Sequence, residues 1–153
     1  MKPLLFFGLF CFALTGCESM SKRVHDRFAG PTPKSRNFAA DERATFAAAR
    51  AALDDMGYRF MRGGPAQREL EALSGLQSGG DVAMNSMRQF QLTAKFSSAG
   101  GEGTRVDVVV RELFESDSER QPGLATSTPL RDSALYEQFF HGIERHLSRT
   151  GAE

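Results

Sequence analysis

Gln89-Phe90-Gln91-Leu92-Thr93-Ala94-Lys95-Phe96 alternates polar and apolar residues at every step. Successive side chains of a strand point to opposite faces, so Phe90, Leu92, Ala94 and Phe96 share one face. Gln89, Gln91, Thr93 and Lys95 take the other, the pattern of a half-buried strand. Ser97 to Gly103 follows as a glycine-rich hairpin loop. Thr104 to Phe114 then repeats the pattern, with Val106, Val108, Val110 and Phe114 on one face and Arg105, Asp107, Val109 and Arg111 on the other. Two such strands joined by a short loop predict an antiparallel pair with one apolar and one wet face.

Upstream, Asn37 to Met56 is rich in alanine, the strongest helix former. Phe46, Ala49, Leu53 and Met56 recur at three- and four-residue steps and so share one helix face. Asn37 or Asp41 can cap its start, and Gly57 stands where a left-handed residue ends a helix. Tyr58-Arg59-Phe60-Met61 reads as a short strand and Gly63-Gly64-Pro65 as a turn. Arg68 to Ser74 reads as a second strand, in which Leu70 and Ala72 alternate with Glu69 and Glu71. Gly75 to Ser86 carries three glycines and reads as a flexible connection or, alternatively, a lid over a ligand cleft.

Downstream, Glu115 to Thr128 is polar and long for a connection. It holds either a short edge strand near Gly123 to Ser127 or the extended tip of the last hairpin. Thr128-Pro129 reads as a cap followed by proline in the first helical turn. Tyr136, Phe139, Phe140, Ile143 and Leu147 then form a wide apolar stripe. The expected fold is α+β: a four-stranded antiparallel sheet flanked in sequence by an N-terminal and a C-terminal helix. Both helices pack on the Phe90/Leu92/Phe96/Val106/Val108/Val110 face. This single domain spans residues 37–150.

The 19 Lys and Arg balance the 19 Asp and Glu, which argues against a general nucleic-acid binder. Residues able to carry catalysis are scattered. His141 and His146 are five apart, about 140° around a helix, whereas a zinc pair wants i, i+4 on one face. His25 lies far upstream. Asp54-Asp55 and Glu69/Glu71 are the tight carboxylate groupings of the domain. Asp54-Asp55 reads as a solvated rim or a cation or partner contact. Glu69 and Glu71, on one strand face, lack the opposing surface and aromatic sugar cleft that a paired-carboxylate glycosidase needs. Gly79-Gly80-Asp81 lacks the Lys-Ser/Thr ending of a phosphate loop, and no serine sits in Gly-x-Ser-x-Gly. These residues predict no enzyme, no metal and no cofactor. The polar sheet face, with Lys95, Arg105 and Arg111 beside Gln89 and Gln91, is the candidate partner-binding face.

The N-terminus gives an address. Lys2 precedes an apolar run from Leu4 to Leu14, which is too short to span a bilayer as a lasting helix. Leu14-Thr15-Gly16-Cys17 resembles the lipobox of bacterial lipoproteins. The resemblance implies removal of residues 1–16, lipidation of the Cys17 thiol and acylation of its amino group. Removal also takes Cys11, so no second thiol remains for a disulfide or a metal site. Residues 17–36 are then the lipidated cysteine and a flexible tether, containing Gly30-Pro31-Thr32-Pro33 and the basic Lys22, Arg23, Arg27, Lys34 and Arg36. Glu18 follows the acylated position, where aspartate retains lipoproteins at the inner membrane under the enteric sorting rule. It points to the outer membrane, facing the periplasm.

Leu53-Asp54-Asp55-Met56-Gly57-Tyr58, the paired strands around residues 90–110 and Tyr136-Glu137-Gln138-Phe139-Phe140 together resemble small bacterial envelope lipoproteins with a BamC-like, helix-grip-like domain. Two functional readings follow. One is a lipid-anchored, non-enzymatic periplasmic interaction module that binds an envelope protein through its open sheet face or a sheet edge. The other is a small-ligand carrier with a cleft between the C-terminal helix and the sheet, near Tyr136 and Phe140.

Overall fold

The alternating strands of residues 89–114 lie at the centre of a larger sheet in the computed structural model, which describes residues 31–78, 86–101, 103–118 and 121–150. The signal segment, Cys17, the tether as far as residue 30 and Gly79-Gly80-Asp81 lie outside the described residues. In chain order the elements are β1 (Lys34–Phe38), α1 (Glu42–Asp55), β2 (Arg59–Gly64), β3 (Glu69–Leu73) and β4 (Gln77–Ser78). They continue with β5 (Ser86–Ser98), β6 (Thr104–Ser118), β7 (Gln121–Pro129) and α2 (Ala134–Thr150). Described residues from Pro33 onward belong to one compact unit.

The α+β class and the antiparallel pairing are as expected, but the sheet has seven strands rather than four. β5 and β6 pair from Ser86↔Ser116 to Ser98↔Thr104. β3 and β4 lie end to end along β5, with β2 outside β3. β1 and β7 lie end to end along β6. The polar stretch 115–128 combines both of its expected alternatives: β6 runs on to Ser118, and β7 folds back onto it. β7 also absorbs Thr128 and Pro129, which were expected to open the last helix. Pro129 pairs with Arg111 at the end of an edge strand, a place where a missing N–H is tolerated. The helix starts at Ala134 instead, where Ser133 Oγ accepts the Leu135 N–H at 3.2 Å.

β1 occupies residues expected to form the end of the tether and the start of the first helix. Its one buried side chain is Phe38, so it carries almost no apolar pattern. Ion pairs distant in sequence hold it in place: Lys34 to Asp132 at 2.9 Å, and Arg36 to Glu137 at 2.7 Å and Glu144 at 3.1 Å. The helix therefore begins later, at Glu42. Asp41 is its N-cap, with Oδ1 accepting the Ala44 N–H at 2.9 Å.

Both helices cover one sheet face. Leu70, Ala72, Leu92, Ala94, Phe96, Val106, Val108 and Val110 form a single core with Phe46, Ala49, Ala52, Leu53, Tyr136, Phe139, Phe140 and Ile143. Phe46 packs against Phe96 with ring centroids 5.3 Å apart. Met56, Phe90 and Leu147 are only partly buried at the edge of this core. Among the described residues no helix is long and apolar enough to cross a membrane.

The helices pack in close contact where Gly142 meets Ala52. A Cβ on Gly142 would lie 2.6 Å from the Ala52 Cβ and 3.4 Å from its Cα. This contact explains a glycine in a helix interior, where it costs about 1 kcal/mol relative to alanine. Gly142→Ala should accordingly lower stability in urea unfolding by about 1–3 kcal/mol despite the gain in helix propensity. Adding Ala52→Gly should recover part of the loss, and strictly additive effects in the double mutant would show that the contact does not limit the packing.

Candidate functional site

The strand register puts Lys95, Arg105 and Arg111 together on the helix-free face, as the alternation predicted, but not in one cluster. Arg105 and Arg111 are about 20 Å apart along β6. Lys95 stands between two carboxylate neighbours, with Glu69 opposite it on β3 and Asp107 opposite it on β6. Arg105 bonds to Asp107 at 2.9 Å and to Ser35 Oγ at 2.9 Å. Arg111 is different: its cross-strand neighbours are Gln91 and Pro129.

This face is therefore a mixed-charge surface rather than a basic one. Glu71 is bonded by Arg62 and by Gln91 Nε2, and Asp107 also accepts from the Ser35 hydroxyl. The Arg62 hydrogen bond leads in holding the Glu71 carboxyl below its usual 4.5, against partial burial. For Asp107 partial burial is the largest influence and pushes upward, yet the bonds from Ser35 and Arg105 together bring it below its usual 3.8. Past Arg111 the same face is mixed, with Gln89 and Ser127 as the cross-strand neighbours of Leu113. Leu113 shares it by register, as does Met87, which is 52 % exposed.

A second feature lies on the helix side. A cleft of about 950 Å³ opens where the C-terminal end of α1, the first three turns of α2 and the end of β3 meet. Its walls include Met56, Tyr58, Phe90 and Leu135, and Gln138, His141 and Arg145 also line it. The expected cleft residues Tyr136 and Phe140 do not line it, because both face the core. Tyr136 Oη donates to the Leu130 carbonyl at 2.6 Å and accepts the Val110 N–H at 3.1 Å, tying α2 to β6. Phe140 packs on Phe38 and beneath the Arg36 guanidinium, 4.8 Å from its ring centre.

The charged residues singled out from the sequence are mostly paired across elements. Asp55 accepts from His146 at 2.9 Å and lies 3.8 Å from Arg145, so the Arg145 charge and a hydrogen bond from α2 offset a carboxylate that opposes the dipole of α1. His141 bonds to Glu144 at 2.9 Å on its own helix. Among the described residues no three of His, Cys, Asp and Glu gather where they could hold a metal ion. Sequence reasoning missed Tyr58 as a site residue. It also missed the flank Ala134, Gln138, His141 and Arg145, whose three- and four-residue spacing marks a second face of α2 beside the apolar stripe.

No family model matches the chain, and no curated protein matches it.

The open face carries a pH dependence. Glu71 and Asp107 have depressed folded-state pKa values, so the stability they contribute is complete above the usual carboxylate values. It is lost as pH falls through the folded values. The urea midpoint should thus drop between about pH 6 and about pH 3, and the drop should be smaller in Glu71→Gln than in the parent protein. An equal drop in both would mean that Glu71 does not contribute to it.

Proposed function

We propose that this chain is a lipid-anchored, non-enzymatic binding module of the bacterial envelope, held at the outer membrane, facing the periplasm and binding an envelope protein. The observation that carries this reading is Leu14-Thr15-Gly16-Cys17 closing a short apolar run behind Lys2. Several acyl chains on Cys17, at roughly 0.8 kcal/mol per buried methylene, make a firm anchor where a single chain is marginal. Residues 18–33 then serve as the tether, and its Lys22, Arg23 and Arg27 add about 1 kcal/mol each near an anionic surface. The open sheet face supports the binding role, because the helices leave it uncovered while Arg111 has no acidic cross-strand neighbour. The BamC-like, helix-grip-like character of the domain belongs to the same reading.

Feeding cells an alkyne analogue of palmitate should label the wild-type protein in the membrane fraction. Cys17→Ser should lose both the label and the membrane association, and an unlabelled wild-type protein would overturn the anchor. Crosslinking in intact cells then addresses the face. Lys95→Glu with Arg111→Glu is the informative pair, since reversing Arg105 would set a carboxylate against Asp107. The double variant should fold with stability within about 1 kcal/mol of the parent. It should also recover several-fold less of any partner crosslinked by the wild type, and undiminished recovery would remove this face from the binding surface.

A further inference from the structure

Tyr58 is 6 % exposed, and its hydroxyl is the buried side-chain polar atom that finds no hydrogen-bond partner among the described residues. Phenylalanine would supply the same ring without the cost of burying an unpaired hydroxyl. The contrast with Tyr136 is direct, because its hydroxyl makes two hydrogen bonds within the fold. Tyr58 is also a wall of the cleft between α1 and α2, beside Met56, Phe90 and Leu135. A cleft of about 950 Å³ that sets Met56, Phe90 and Leu135 beside polar Ser74, Gln77 and Gln138 can hold a small molecule with both apolar and polar parts. The hydroxyl itself is closed off from solvent, so a ligand acceptor meets it only when a neighbouring wall side chain shifts.

The surroundings narrow the class of ligand. The charged groups at the rim are already paired: Asp55 with His146 and Arg145, Glu137 with Arg36, and His141 with Glu144. A charged ligand would have to compete with these pairs and lose its own hydration, whereas an uncharged one avoids both costs. Burial pushes the Tyr58 phenol up from its usual 10, so the hydroxyl keeps its proton and is a donor. Met56, half-buried and unbranched, is the wall side chain best able to move aside for an entering group.

We propose that this cleft binds a small uncharged molecule with an apolar body and a carbonyl-type acceptor, the acceptor bonding to the Tyr58 hydroxyl and the body lying against Phe90 and Leu135. The site is independent of the membrane anchor. It is therefore tested on the Cys17→Ser protein, whole after its signal, with Prodan as the probe. Prodan is uncharged, carries a ketone on an aromatic body, and its emission reports both polarity and hydrogen bonding at that ketone. Saturable one-to-one binding is expected. Tyr58→Phe should weaken it roughly three- to tenfold, the loss of one neutral hydrogen bond, while leaving the melting temperature equal or higher. Gln138→Trp, an exposed position on the cleft wall, should block binding. Failure of the parent protein to bind Prodan, or equal binding in both variants, overturns the proposal. A lower melting temperature in Tyr58→Phe also overturns it, since the hydroxyl would then be satisfied within the fold.

Discussion

Every strand except β2 hydrogen-bonds to β5 or to β6, so the antiparallel pairing of these two strands sets the geometry of the whole sheet. A slip of one residue would turn Leu92, Ala94 and Phe96 to solvent, which fixes the register tightly. The pair is also much longer than what covers it. The 13 residues of β5 extend about 44 Å. The 14 residues of α1 extend about 21 Å. The helices therefore cover one half of the hairpin, from Phe96 and Val106 to Leu92 and Val110. Beyond them the helix-side face changes character: Phe90 and Phe114 are only partly buried, and Arg88 pairs with Glu112 at 2.6 Å.

Seating two helices side by side over that half requires them to come close together. The alanines of α1 serve this packing as well as helix propensity, for Ala49 and Ala52 are fully buried and Ala52 receives Gly142. The position of α2 along the sheet is set by the Tyr136 hydroxyl, which joins the helix to Val110 at the point where β6 passes out of cover. Leu130 closes the same corner, its N–H bonding to the Val110 carbonyl at 2.9 Å. One tyrosine thus links the end of β7, the start of α2 and the middle of β6.

What the sequence made legible is the set of elements that bury apolar side chains at a regular period. The strands around Leu92 and Val108, the Phe46 and Leu53 face and the Tyr136 to Ile143 stripe all carry that pattern, and all lie in one core. β1, β4 and β7 carry none, because an edge strand is held by backbone pairing and, in β1, by ion pairs to residues about a hundred positions away. The placement of Lys95, Arg105 and Arg111 on one face followed from parity alone. Their dispersal among Glu69, Glu71 and Asp107 depended on which strands became neighbours, and period-two reasoning within a single strand does not contain that. The position of the cleft was equally hidden, since its residues come from α1, α2, β4, β5 and the segments after α1 and β3.

The position of the cleft follows from the same shortage of helical cover. α1 stops at Asp55 and β3 stops at Leu73, and α2 walls the corner they leave from Ala134 to Arg145. The helix ends there would leave charge at the corner, with Asp55 adding to the negative end of α1. Arg145 reaches across from α2 to offset it and His146 donates a hydrogen bond to it, making a rim whose charges are paired. The wall sets Met56, Phe90 and Leu135 beside Ser74, Gln77 and Gln138, with the Tyr58 hydroxyl as its buried unpaired polar atom among the described residues. A rim whose charges are already paired disfavours a charged ligand, and the unpaired Tyr58 hydroxyl favours an acceptor, so the selectivity proposed for this corner comes from where the helices end.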